Sequence, residues 1–153
     1  MALQELLDAR RVVMVDAPGS RSAVIEAAAR LLAGAPADAA AIAEGLARRE
    51  RLASTAIGHG VAIPHARVDG IGQARGAFLR LSPAVDFGAA DGRPVDLVFA
   101  MVVPRGSLQG HLELLAELAE RFSASHFREQ LRQARDSGEL AGLLLHGAQR
   151  IPA

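Results

Sequence analysis

The stretch that decides the fold is Val95-Asp-Leu-Val-Phe-Ala-Met-Val-Val103, which is followed at once by Pro104. Asp96, near its start, is the only polar residue. A β-strand with one face in water alternates apolar and polar residues, whereas a strand covered on both faces is apolar almost throughout. We therefore predict a central strand here, ended by Pro104, with other elements packed over both of its faces.

Strand and helix patterns alternate around this central strand. Before it, the pattern predicts a strand at Val12 to Val15, a helix capped by Ser22, a helix capped by Asp38 that ends near Arg49 and Glu50, and a strand at Ala74 to Leu81. After it, the pattern predicts two short helices, one after Ser125 and one after Asp136, and before them a helix with the buried stripe Leu112, Leu115, Leu118, Ala119 and Phe122. This alternation indicates an α/β layer structure, and 153 residues favour one domain over residues 1–153.

Composition excludes several classes of function. Half of the residues are hydrophobic and 17 basic residues balance 17 acidic ones, so we expect neither disorder nor a nucleic-acid partner. Every basic residue is arginine, and the absence of lysine excludes Schiff-base chemistry. The absence of cysteine excludes disulfides and thiol nucleophiles. Without a signal-peptide pattern or an apolar run of roughly 20 residues, the chain is expected to be cytoplasmic and not membrane-inserted.

The segment most indicative of function is Ser54-Thr-Ala-Ile-Gly-His-Gly-Val-Ala-Ile-Pro-His-Ala-Arg67. Pro64 fixes its own φ and biases Ile63 toward extended backbone, so His65 is expected to leave the end of a strand on a stiff backbone. A neutral imidazole can attack phosphorus, and with an ordinary pKa of about 6.5 much of it is neutral near pH 7. His65 is therefore a candidate phosphoryl carrier. A hydrogen-bonded structural histidine is the alternative.

Groups that could stabilise a phosphoryl group on His65 lie in three other places. The turn at Gly58-His59-Gly60 and the helix start at His111 offer N–H donors, and the arginines at the end of the second helix offer paired donors in fixed geometry. His59 is also readable as a surface turn residue and His111 as a structural one. A zinc site at His59, His65 and His111 is a further alternative. Their spacing matches no standard motif, so we predict no metal and no cofactor.

The chain resembles the fructose/mannitol-type enzyme IIA domains of the bacterial phosphotransferase system. The residues that carry this resemblance are Arg49-Glu50, Ser54-Thr55 and Ile57-Gly-x-Gly-Val-Ala-Ile-Pro-His-x-Arg67. The later run from Asp91 to Pro104, followed by His111-Leu, resembles the nitrogen-regulatory branch in particular. The resemblance extends from about Leu6 to Leu145 and implies a mixed sheet of about five strands with helices on both faces.

The resemblance also implies roles for individual residues. His65 is expected to be phosphorylated, His111 to lie beside the phosphoryl group, Arg49 to lie near the same site, and Thr55 to contact the phosphate through its hydroxyl or backbone. Three departures bear on the fine geometry of the turn: Ala56 and Ala66 stand where the family usually has glycine, and His59 where it often has asparagine. His59 is expected to lie close to His65 and to shift its pKa.

The implied function is that of a phosphocarrier, a protein-histidine phosphotransferase. It would accept a phosphoryl group on His65 from a phosphohistidine carrier protein of the nitrogen-type system and bind target proteins according to its phosphorylation state. One alternative is a sugar-specific enzyme IIA that passes phosphate to a separate enzyme IIB of a fructose/mannitol-type permease. The other is a binding-only regulator without phosphotransfer. The sequence contains no appended enzyme IIB or membrane domain, so direct sugar uptake is not expected, and it does not identify the targets.

Overall fold

Helices and strands occur in groups along the chain: two helices follow the first strand, and three helices follow a run of five strands. The computed structural model describes residues 3–106 and 108–146. The helices in these ranges are α1 (Leu3–Leu6), α2 (Arg21–Leu32), α3 (Asp38–Leu52), α4 (Leu108–Ser123), α5 (Ser125–Gln133) and α6 (Ser137–His146). The strands are β1 (Leu7–Asp16), β2 (Ala56–Gly58), β3 (Val61–Ala62), β4 (His65–Val68), β5 (Arg75–Val85) and β6 (Val95–Pro104).

The central strand β6 is buried on both faces, which confirms the prediction from its apolar run. Its successive side chains point to opposite sides of the sheet, because strand side chains alternate. Leu97, Phe99, Met101 and Val103 belong to one hydrophobic cluster. Val98, Ala100 and Val102 belong to the other. One strand thus contributes to two cores, and this is why its sequence shows no polar alternation.

The sheet is mixed, with strand order β1-β5-β6-β3-β2 and with β4 also paired to β6. β5 is antiparallel to β6, whereas β3 and β4 are parallel to it. β3 and β4 lie one after the other along the same edge of β6, with Val61 opposite Leu97 and His65 opposite Met101. The implied sheet of about five strands is therefore confirmed, with its edge strand divided into two short pieces.

Pro64 lies at the division between β3 and β4. Its carbonyl oxygen accepts a hydrogen bond of 2.9 Å from the backbone N–H of Met101, but proline has no N–H to donate in return. Regular pairing resumes at the next residue, so His65 begins a strand. The expectation that His65 leaves the end of a strand was wrong, because His65 is the first residue of β4. The predicted stiff backbone before it is present.

Helices cover both faces of the sheet. Residues of α2 and α3, such as Leu32 and Leu46, pack on one face. Residues of α1, α4, α5 and α6, such as Leu118 and Phe127, pack on the other. This two-sided arrangement confirms the predicted α/β layer structure.

Two helix details differ from the prediction. The cap of α2 is Ser20, whose Oγ accepts a hydrogen bond of 3.2 Å from the N–H of Ala23, so Ser22 lies inside the helix. In α4, Leu112 is 55% exposed, while Leu114, Leu118 and Phe122 are buried. The inward stripe thus follows steps of three to four residues from His111, and Leu112 lies about 100° away from it around the helix.

The turn between β2 and β3 is held by two charged side chains. Gly58, His59 and Gly60 all have positive φ, with values of 96°, 58° and 80°. Asp91 accepts a hydrogen bond of 2.9 Å from the N–H of His59, and Arg132 donates one of 2.6 Å to its carbonyl oxygen. Arg132 also forms an ion pair of 2.9 Å with Asp96, the single polar residue of the central run.

We expect Gly60→Ala to destabilise the protein through this ion pair. An added Cβ would lie 2.6 Å from Arg132 Nη2 and 2.9 Å from Asp96 Oδ1, at a φ of +80°. The backbone conformation alone costs alanine roughly 1–2 kcal/mol, and displacement of the ion pair adds to it, for a total of about 2–4 kcal/mol. Urea unfolding measures the loss.

Gly70→Ala is the matched control for this substitution. Gly70 has a φ of +82°, but an added Cβ would meet no atom within 4 Å. It should therefore lose only the backbone contribution of roughly 1–2 kcal/mol. Equal losses in the two variants would contradict the idea that the Arg132–Asp96 pair constrains the turn.

Candidate active site

His65 lies at the sheet edge, between the last turns of α3 and the first turns of α4. Ala66 and Val68 point into the core under α2 and α3, so alternation along β4 turns His65 toward the α4 side. The half-buried imidazole borders two cavities of about 360 and 340 Å³. Arg49 lines both cavities, Thr55 lines the first and His111 lines the second. The structure therefore brings together all four residues that the resemblance implies.

A backbone hydrogen bond fixes the tautomer of His65. Its Nδ1 lies 2.7 Å from the carbonyl oxygen of Ile63. A carbonyl oxygen can only accept, so Nδ1 carries the proton and Nε2 keeps its lone pair. Ile63 is itself held by a hydrogen bond of 3.1 Å from its N–H to the carbonyl oxygen of Thr55. The ring is thus oriented by the backbone, with Nε2 as its nucleophilic atom.

The surroundings of His65 favour its neutral form. Burial lowers the pKa of this imidazole, and the charge of Arg49 lowers it further. The hydrogen bond to Ile63 and the charge of Glu50 act in the opposite direction without reversing the shift. Neutral imidazole is the form that can attack phosphorus, so the ring is ready for that reaction at neutral pH.

His111 meets His65 edge to face. The ring centroids are 5.2 Å apart and the ring planes make an angle of 84°. His111 is only 7% exposed, and neither of its ring nitrogens has a hydrogen-bond partner within the described chain. Burial, together with the charges of His65, Arg67 and Arg49, lowers the pKa of His111 to about 4. A neutral ring with an unused N–H donor therefore lies next to the nucleophile.

Arg49 and Glu50 connect the end of α3 to the site. Arg49 Nη1 donates a hydrogen bond of 2.8 Å to the carbonyl oxygen of Ala53. Glu50 is 5% exposed, and its carboxylate accepts hydrogen bonds from the N–H of Thr55 at 2.9 Å and from the hydroxyl of Thr55 at 2.7 Å. Both donors of Thr55 are therefore directed to Glu50. The positioning role of Glu50 was missed in the sequence, where the spacing of Glu50 and Thr55 in the quoted motif was its only signal.

The three departures from the family pattern disturb the site little. Ala56 and Ala66 lie in strands, and neither is among the described residues with positive φ, so neither needs glycine. His59 is exposed in its turn, and it is not among the groups that shift the pKa of His65. The expectation that His59 shifts the pKa of His65 was wrong. The contacts of His59 in the turn are made by its backbone N–H and carbonyl oxygen, which bond to Asp91 and Arg132, while the residue itself is exposed.

Two further features concern metal binding and membrane insertion. Within residues 3–106 and 108–146, no group of three or more His, Asp or Glu side chains is arranged to hold a metal ion. In the same ranges, no helix combines the length and apolar character needed to cross a bilayer.

The buried His111 should make the protein less stable in mild acid. Its pKa is about 4 in the folded chain against about 6.5 in the unfolded chain, so the unfolded state takes up the proton first. The contribution of neutral His111 to the free energy of unfolding should be fully present above about pH 6.5. It should decrease as the pH falls toward 4, with a total loss on the order of 2 kcal/mol. Urea unfolding at several pH values measures the slope.

Two variants isolate the contribution of His111. His111→Gln should flatten the dependence between pH 6.5 and 4, whereas His126→Gln, at an exposed histidine, should keep the slope of the unchanged protein. A slope unaffected by His111→Gln would mean that other groups cause the acid sensitivity.

Comparison with known proteins places the chain in a family. Residues 5–147 match the family model described as "Phosphoenolpyruvate-dependent sugar phosphotransferase system, EIIA 2". A nitrogen regulatory protein from Pseudomonas aeruginosa is 40% identical over 134 residues, which are 86% of this chain and 87% of that protein. A fructose-specific EIIA component from Haloferax volcanii is 35% identical over 102 residues, which are 67% of this chain and 66% of that protein.

A solved structure agrees with both the fold and the family. The crystal structure of the nitrogen regulatory protein IIA-Ntr from Neisseria meningitidis matches with a TM-score of 0.85 and 38% sequence identity. The match covers 93% of this chain and 98% of that one. The two chains therefore share the fold over most of their length. The chain therefore belongs to the EIIA type 2 family of the phosphotransferase system and is similar to its nitrogen regulatory members.

Proposed function

We propose that this protein is a phosphocarrier that accepts a phosphoryl group on Nε2 of His65 from a phosphohistidine on a carrier protein. The observation that carries the proposal is the hydrogen bond of 2.7 Å between His65 Nδ1 and the Ile63 carbonyl oxygen. It leaves the lone pair of Nε2 unused on a ring that borders two open cavities. Family membership supports phosphotransfer in general.

The transfer needs no proton to cross between the two proteins. The lone pair of His65 Nε2 forms the new N–P bond, and the electrons of the old N–P bond return to the donor imidazole. The proton on His65 Nδ1 stays, so the phosphorylated ring is positively charged while the donor ring, protonated on its other nitrogen, leaves neutral. The Ile63 carbonyl stabilises the new charge, since it already accepts the Nδ1 hydrogen.

His111 and Arg49 stabilise the phosphoryl oxygens in this proposal. Neutral His111 offers one ring N–H with no other partner in the described structure, and Arg49 offers guanidinium N–H groups from the end of α3. Thr55 acts indirectly. Because Glu50 takes both of its donors, Thr55 fixes the backbone turn beside the cavity instead of binding phosphate.

The proposed donor is a carrier protein of the nitrogen-type system, and the proposed location is the cytoplasm. The nitrogen regulatory relatives support this branch. Phosphorylation places a phosphoryl group of about −1.5 to −2 charges on a ring that has become positively charged, so the edge of the sheet gains about one negative charge. This change alters the set of partners that the surface can bind. The protein would thereby regulate target proteins according to its phosphorylation state.

The fructose-specific relative supports a second candidate function. In that case, His65 would pass its phosphoryl group to a separate enzyme IIB. Incubation of the 32P-labelled protein with a purified fructose-type enzyme IIB distinguishes the two functions, because only a sugar-specific component should lose its label to that acceptor.

We expect His65→Gln to abolish phosphorylation. The unchanged protein, mixed with phosphoenolpyruvate, enzyme I and the carrier protein, should take up one acid-labile phosphate, and 31P NMR should assign it to Nε2. His111→Gln and Arg49→Ala should each slow uptake about 100- to 1,000-fold, the usual effect of losing one oxyanion donor. His126→Gln is the matched control and should be labelled normally.

Two outcomes would refute the proposal: label on His65→Gln, or labelling of the unchanged protein only at Nδ1. An unlabelled protein that still binds a target would favour the binding-only alternative.

Phosphorylation should also raise the pKa of His111. Its value of about 4 results from burial and from surrounding cationic groups, and a phosphoryl dianion beside the ring favours the charged form. Titration of the His111 ring signals by NMR, before and after phosphorylation, measures this change. An unchanged pKa would mean that the phosphoryl group does not lie against His111.

A further inference from the structure

The cavity that contains both histidines is unusually rich in arginine. Four arginines line this space of about 340 Å³ between α3, β4 and α4, and no carboxylate does; they are Arg48, Arg49, Arg67 and Arg105. The chain as a whole has no net charge. Positive charge is therefore concentrated around the proposed nucleophile.

Nearby carboxylates compensate only part of this charge. Glu44 lies 3.3 Å from Arg48 and 3.4 Å from Arg51, and Asp69 lies 2.9 Å from Arg105. In the part of the chain that the structure describes, neither Arg49 nor Arg67 forms an ion pair. Even with the buried Glu50 included, the five arginines Arg48, Arg49, Arg51, Arg67 and Arg105 face three carboxylates, which leaves a charge of +2.

Exposed apolar side chains lie among these arginines. The large hydrophobic residues that are exposed in the described ranges are Leu52, Ile57 and Leu112, at 79%, 43% and 55%. Leu52 and Leu112 line the arginine-rich cavity, and Ile57 lines the neighbouring cavity that also contains His65. An apolar centre inside a charged rim is the usual anatomy of a protein–protein interface.

We propose that the phosphoryl donor docks on this surface with an acidic rim: Asp and Glu side chains around its own phosphohistidine face the arginines, and an apolar patch meets Leu52, Ile57 and Leu112. This inference rests on the proposed function and names the chemistry of its partner. Arginine suits the role because its planar donors bind carboxylates in pairs. A protein is favoured over a nucleic acid because the apolar anchors are aliphatic, and the chain has no Trp or Tyr on which bases could stack.

The charge of this surface favours binding of the donor before transfer and its release afterwards. Before transfer, the rim attracts an acidic donor and raises the rate of encounter. After transfer, the protonated ring partly offsets the dianionic phosphoryl group that it carries. The site therefore gains about one negative charge, and the rim's surplus falls from +2 to about +1. The phosphorylated protein therefore attracts an acidic donor less strongly than the unphosphorylated one does, which favours release after the reaction.

Charge reversal at the rim tests the proposal. Arg48→Glu and Arg105→Glu should each lower the second-order rate constant of transfer from the phosphorylated carrier protein of the same organism by about tenfold at low salt. The effect should shrink as the ionic strength rises to about 0.15 M. Arg10→Glu is the matched control, because Arg10 is an exposed, ion-paired arginine on β1 at the far edge of the sheet. It should leave the rate constant unchanged.

A small donor separates failure of this inference from failure of the proposed function. Phosphoramidate needs no docking surface. At about 0.15 M ionic strength, where salt screens the attraction between the rim and this small anion, it should label His65 in the unchanged protein and in both rim variants at similar rates. Absence of that label would refute the proposed function. If phosphoramidate labels both variants normally and Arg48→Glu and Arg105→Glu leave the carrier rates unchanged or increase them, the inference of an acidic donor is refuted. The proposed function would then still stand. Binding of a single-stranded oligonucleotide that both reversals weaken, without an effect on carrier transfer, would likewise overturn the inference of an acidic donor.

Discussion

The pairing of β3 and β4 with β6 positions the whole site. The register sets His65 opposite Met101, and the interruption at Pro64 places the imidazole at the start of a strand with its side chain toward α4. Ile63, one step before the proline, supplies the carbonyl that fixes the tautomer of His65. Backbone pairing thus decides both the location of the ring and which of its nitrogens can react. β6 can fix the register firmly because it is buried on both faces.

Because the chain has no lysine, arginine side chains donate hydrogen bonds to backbone carbonyl groups both in the core and at the site. Inside the fold, arginines act as donors to carbonyl groups: Arg80 binds those of Leu131, Arg132 and Ala134, and Arg128 binds those of Phe122 and Ser123. At the site, Arg49 is tied to the carbonyl of Ala53 in the same way. Because arginine keeps its charge at all physiological pH values, the cations around His65 are constant. In the proposed phosphocarrier, the charge that changes at the site is then that of His65 and its phosphoryl group.

Sequence patterns predict the parts of this molecule that depend on local periodicity. The apolar run at 95–103 predicts the buried strand with elements on both of its faces, and Ile63-Pro64 predicts the stiff backbone before His65. The proximity of His65 and His111 was predicted from the resemblance to a family. Details that depend on tertiary placement did not follow. The exposure of Leu112 depends on how α4 rotates against the sheet, since a helix rich in leucine allows more than one buried stripe. The bonds from Thr55 to Glu50 depend on where the chain turns after α3.

The resting site contains polar groups for which the proposed phosphoryl group would be a suitable partner. Two buried ring nitrogens of His111 have no hydrogen-bond partner in the described structure, and an unsatisfied buried group costs about 1–3 kcal/mol. In the proposed function, a phosphoryl oxygen beside the ring would remove part of that cost, so the interaction would be stronger in the phosphorylated state and in the transition state than in the resting protein. Burial keeps His111 neutral at pH 7 in the resting protein, so in the proposed reaction it would meet the incoming phosphoryl group with one N–H and no full charge.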